Sequence, residues 1–153
     1  MGPDRDVRPE EFEVMTFDKQ DLVRSSFAAV APNAAAVSAM FYARLFELNP
    51  TLRPLFKRDM AAQGRKLMAM IATAVANLHD LDAVIPDIEQ LGRRHVGYGV
   101  TDQDYDTVGS ALLWTLEQGL GEAFTPATRA AWAECYVTLA GVMQQAAQTT
   151  ANH

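Results

Sequence analysis

The stretch Asp87-Ile88-Glu89-Gln90-Leu91-Gly92-Arg93-Arg94-His95-Val96-Gly97-Tyr98-Gly99-Val100 decides how the rest of the chain is read. Helical through His95, it sets Leu91 and His95 one turn apart on one face, so that an apolar side chain and an imidazole point together. A neutral imidazole is the commonest protein ligand for a transition metal. A lone histidine on an apolar helix face serves equally well as a hydrogen-bonded core residue, so its neighbours must decide.

Working outward, Gly97 and Gly99 end this helix, and Thr101-Asp102-Gln103-Asp104 reads as a capping box that opens another, running to about residue 120. Thr125-Pro126 is an N-cap followed by proline at the first helical position, for a last helix to about residue 148. Upstream, Asp59 caps a long helix over about 60–78, in which Gln63, Leu67, Met70, Ile71 and Val75 share one side while Arg65 and Lys66 fall toward another. Before it, Pro50 and Pro54 bracket a short helical turn closed by Phe56.

A helix over 33–48 presents Val37, Met40, Phe41, Ala43 and Leu45 with Tyr42 beside them, and a first helix starts near Asp18 as N-cap and stops at Pro32-Asn33. Residues 1–15 hold five acids and two prolines with little to bury, the composition of a disordered tail. No stretch alternates with period two over a strand's length. The expectation is an all-α fold with one domain over residues 16–150.

Composition narrows the partners. A net charge of −6 offers no basic surface for nucleic acid or for an anionic membrane. The longest apolar run, 67–76, is broken by Thr73 and is about half of the ~20 residues that a bilayer span needs, so no transmembrane helix is expected. Cys135 is the only cysteine, which excludes an internal disulfide and a cysteine-paired zinc site, and C-x-x-C-H is absent. Without a basic-then-apolar leader, the expected compartment is the cytoplasm.

Several segments match one family together: Phe41-Tyr42-Ala43-Arg44-Leu45-Phe46, Asn49-Pro50-Thr51-Leu52-Arg53-Pro54-Leu55-Phe56, Gln63-Gly64-Arg65-Lys66-Leu67-Met68, Arg93-Arg94-His95, Tyr98-Gly99-Val100 and Tyr105-Asp106-Thr107-Val108-Gly109. Over about residues 17–148 the chain resembles the bacterial single-domain globins, close to the haem domain of flavohaemoglobins and to dimeric bacterial haemoglobins. The resemblance implies a globin fold of about seven to eight helices around haem b, with His95 as the proximal ligand. It further implies Phe56 stacked on the haem, Tyr42, Gln63 and Leu67 on the distal side, and Phe41, Lys66, Leu91, Arg94, Tyr98, Val100, Tyr105 and Val108 around the cofactor.

Physical chemistry is consistent with these roles. A hydrogen bond from the Tyr42 hydroxyl or the Gln63 amide to a partly anionic ligand in a dry pocket is worth on the order of 1–3 kcal/mol. The Leu91 carbonyl is placed to orient the His95 ring from behind. Each residue also has a plainer role open to it: Phe56 and Leu67 as core, Tyr42 with its hydroxyl at the surface, Gln63 and Lys66 as a solvated face, Arg93 and Arg94 as exposed charge.

The chain departs from flavohaemoglobins where their proximal glutamate belongs, near Ala147, and it has no G-x-G-x-x-G for a reductase. The function implied is reversible binding of O2, with NO and CO as further ligands. Nitric oxide dioxygenation would then need a separate reductase. A haem-based gas-sensing module acting through a partner protein is the alternative, and either fits a monomer or a homodimer.

Overall fold

Thr16, two residues before the expected Asp18, caps the first helix: its hydroxyl accepts from the Lys19 amide at 3.3 Å. Asp18 instead sits in the first turn, where its charge complements the positive end of the helix dipole. The computed structural model describes residues 16–56, 59–97 and 99–151, and no strand occurs among them. The α-helices are α1 (Phe17–Val30), α2 (Ala34–Leu48), α3 (Met60–Ala76), α4 (Ile85–Gly97), α5 (Asp102–Leu120) and α6 (Pro126–Ala151). Tight 3-10 turns fill Ala31–Asn33, Pro50–Leu55, Leu78–Ala83 and Gly121–Ala123. The expected tail at residues 1–15 lies outside the described residues.

Local signals set most boundaries. Asp59 accepts from the Ala61 amide at 3.0 Å to start α3, which ends at Ala76 rather than near residue 78. Thr101 and Asp104 form a reciprocal capping box at the start of α5. Gly99, at φ 80°, takes a left-handed conformation that a side chain would oppose. Helix α4 begins at Ile85 and takes Pro86 into its first turn, where no amide partner is lost.

Glycines let the helices approach. A Cβ on Gly64 would collide with the Ser38 hydroxyl where α3 crosses α2, and one on Gly92 would collide with the Met143 backbone where α4 crosses α6. Helix α1 lies on α6 and α3, and α2 lies on α5 and α3. Val23 and Leu45 are fully buried in these contacts, each worth roughly 1.5–3 kcal/mol of transfer free energy. Deep in the core the Trp132 indole donates to Ser26 Oγ at 2.7 Å, which satisfies both groups.

By length and composition alone, the continuous run Phe17–Leu48 is long and apolar enough to cross a membrane. Scattered alanines supply much of its hydropathy, which a search for an unbroken run of large apolar residues passes over. The run consists of two helices joined through the Pro32 turn.

Candidate functional site

Helix α4 brings His95 to its last turn, four residues after Leu91, whose carbonyl accepts the ring Nδ1–H at 2.8 Å. A proton on Nδ1 leaves the lone pair on Nε2, the atom then competent to hold a metal. Burial lowers the imidazole's pKa and Arg94 lowers it further, against the opposing pull of the Leu91 hydrogen bond. The ring therefore favours the neutral state that ligates metals.

Tyr105, from the first turns of α5, lies beside it, with ring centroids 6.4 Å apart and planes 28° apart. Around Tyr105 gather Ile88, Ala140 and Met143, with the half-buried Leu91 and Val100 against them. Tyr136 donates to the Tyr105 carbonyl at 2.6 Å, tying α5 to α6, and the missing side chain of Gly109 makes room for its ring. The Tyr105 hydroxyl is buried with no hydrogen-bond partner among the described residues. Ala147 is half-buried where a glutamate was expected by resemblance, so that position offers no carboxylate.

One turn along α5, Val108 enters a second cluster with Phe41, Tyr42, Leu45, Leu52 and Ala111, against which Phe56 and Leu67 also lie. Its centre is aromatic. Tyr42 meets Phe41 edge-on at 5.0 Å and Phe56 edge-on at 5.3 Å, and stacks on Phe46 at 6.1 Å. Burial pushes the Tyr42 phenol up to about 12, so at neutral pH it is a hydrogen-bond donor, yet its hydroxyl has no partner among the described residues. Gln63 is half-buried one turn before Leu67 on α3.

The structure thus gathers Phe41, Tyr42, Phe56, Leu67 and Val108 into one cluster, and Leu91, Val100 and Tyr105 into another that also holds the His95 ring against Tyr105. Lys66 and Arg94 are solvent-exposed beside these groups, and Tyr98 lies outside the described residues. Phe46, four residues after Tyr42, was missed by the sequence reading; its i,i+4 spacing from Tyr42 was the available signal.

A haem fits this arrangement on three observations. Helices α3 and α4 scarcely touch, although each is firmly seated on other helices, so their inward faces are not packed against one another. The apolar residues Phe56, Leu67, Leu91, Val100 and Val108 are only half-covered by protein. The donor set suits iron held by a single imidazole, because the hydrogen bond from Nδ1 to the Leu91 carbonyl puts the ligating lone pair on Nε2.

The Globin family profile matches residues 39–143. The chain is 31% identical over 147 residues to a neuroglobin of Dissostichus mawsoni, covering 87% of this chain and 92% of the relative. A neuroglobin of Danio rerio is 30% identical over 145 residues, covering 86% and 91%. Among solved structures, a bacterial globin from Campylobacter jejuni superposes with a TM-score of 0.80 at 22% identity, covering 90% of this chain and 100% of that one, a likeness of fold.

Proposed function

Because the chain belongs to the globin family, and that family binds haem, we propose that it holds haem b through His95 and reversibly binds dioxygen, with nitric oxide and carbon monoxide as further ligands. Bound haem supplies reversible coordination of diatomic gases at its iron and, when a separate reductase returns electrons, conversion of nitric oxide with dioxygen to nitrate. The observation that carries the reading is the pairing along one turn of α5: the oriented His95 ring beside Tyr105, and the unpartnered Tyr42 phenol in the cluster that Val108 enters.

The protein's own groups divide the work. The Leu91 carbonyl fixes the His95 tautomer and ring plane. Tyr42 stays protonated because burial opposes its ionisation, so it can donate to a polar ligand, and the Gln63 amide is a second donor on α3. Leu67 and Phe56 exclude water, which strengthens such hydrogen bonds by lowering the local dielectric. Lys66 and Arg94, exposed at the margin, suit the carboxylates of haem propionates.

The Leu91 carbonyl braces the imidazole, and alanine at position 147 offers no carboxylate there. With haem bound, the lack of a carboxylate at position 147 would weaken the electron push from His95, which would favour holding a gas over rapid turnover. Absorption spectra of the purified protein as isolated, after reduction and under carbon monoxide test the proposal: a haem band that shifts with each treatment is expected, and a protein that stays colourless after addition of hemin would refute it.

A further inference from the structure

A groove of about 510 Å3 runs between α2 and α3, with Arg53 of the Pro50–Leu55 turn at its wall. No residue of α4 lines it, so it is distinct from the His95 side of the site. Its lining is apolar and small along Ala39, Ala43, Ala61 and Gly64, with the larger Phe46 and Met60 rising beside them. The size falls in the range of small-molecule sites, roughly 300–1,000 Å3.

Besides Ser38, whose hydroxyl donates to the Ala35 carbonyl, three polar features interrupt that lining. Arg53 and Arg65 both reach the groove, and neither forms an ion pair among the described residues, in a chain whose net charge is −6. The Arg53 guanidinium is positioned over the Phe46 ring, 5.1 Å from its centroid, which holds the charge against an apolar wall. The third is Tyr42, only 9% exposed, which lines the groove and has no hydrogen-bond partner among the described residues. Its ring is also the centre of the aromatic cluster assigned to the gas-binding side.

We infer that this groove binds a free monocarboxylate with an unbranched apolar tail, its tail between α2 and α3 and its carboxylate on the guanidiniums, and that Tyr42 couples occupancy to the gas site. Guanidinium matches a carboxylate in a two-pronged hydrogen bond, which an alcohol or an alkane of equal length cannot accept. Ala39, Ala43 and Ala61 leave the tail room that larger side chains would fill, whereas Gly64 marks where the two helices meet. Only the coupling rests on the proposed haem function; the groove and its charges do not.

Calorimetric titration of the haem-loaded protein with decanoate and with decanol tests the assignment. Saturable one-to-one binding of decanoate at least tenfold tighter than decanol is expected. The R53Q/R65Q double variant, altered only at surface-reaching side chains, should lose that preference, and Ala39→Trp should abolish binding by filling the groove. Binding that survives Ala39→Trp, that disappears when haem is loaded, or that does not prefer the carboxylate would overturn the site.

Saturating decanoate is also expected to change the carbon monoxide association rate at least threefold in the parent protein and not in Ala39→Trp. An unchanged parent rate would remove the coupling. A chain that refuses haem yet binds decanoate would refute the gas-site reading while leaving the groove standing.

Discussion

The wall around Tyr42 and the wall around His95 are built differently. The first is held chiefly by its own aromatic packing: Phe41, Tyr42, Phe46 and Phe56 interlock at 5.0–6.1 Å, and α2 beneath them is held by both α3 and α5, with Phe56, Leu67 and Val108 still half-covered. The second leans mainly on one neighbour, α6, which α4 approaches closely at Gly92. It leaves Leu91, His95 and Val100 half-covered and the Tyr105 hydroxyl without a partner among the described residues. A pocket made this way has one side preorganised and one side that a cofactor completes, since ligand binding to the native state alone adds to its stability.

The largest effect should come from cutting the link between the two walls. His95→Ala is expected to weaken hemin retention by at least about a hundredfold, beyond the ~10–100-fold typical of losing a residue that only supports a ligand. Hemin transfer to an acceptor protein measures it.

Packing separates the walls next. Gly92→Ala drives a methyl into the Met143 backbone, which cannot rotate away, and should cost about 1–3 kcal/mol. Gly64→Ala meets the Ser38 hydroxyl instead, a side chain that can turn aside by giving up its 3.2 Å bond to the Ala35 carbonyl, so it should cost less. Urea unfolding of both variants checks the order, and equal losses would mean that the two walls are equally rigid.

Smaller again, Tyr42→Phe keeps the ring contacts and removes only the donor. Oxygen dissociation should quicken about tenfold, the equivalent of ~1.4 kcal/mol, in the range of a hydrogen bond to a partly charged acceptor. Stopped-flow displacement by carbon monoxide reads it, and an unchanged rate would leave Gln63 as the operative donor.

The smallest effect concerns Cys135, under the core on α6. Burial, with Glu134 adding to it, pushes its thiol up to about 12, so at pH 8 it is protonated and covered. A disulfide reagent should label it only after denaturation; rapid native labelling would show that α6 opens.

Much of this was legible in the sequence where a signal is local. The Thr101–Asp104 capping box, Pro126 and the left-handed Gly99 declare themselves within a few residues. Thr16 was passed over for Asp18 because both are good caps two residues apart, and only the backbone decides between them. What stayed hidden depends on helices meeting. Gly64 against Ser38, Gly92 against Met143, and the groove with Arg53 and Arg65 join residues that no helical period relates. Tyr42, Phe56, Leu67 and His95 could be singled out only through their joint spacing, since each alone suits a core or surface role.

The most direct measurement is hemin titration of His95→Gly, with and without added imidazole, followed by absorbance. The account predicts that the variant fails to form the parent spectrum and that free imidazole restores it by occupying the vacated position. A His95→Gly protein that takes up one hemin with the parent spectrum and no imidazole would contradict it.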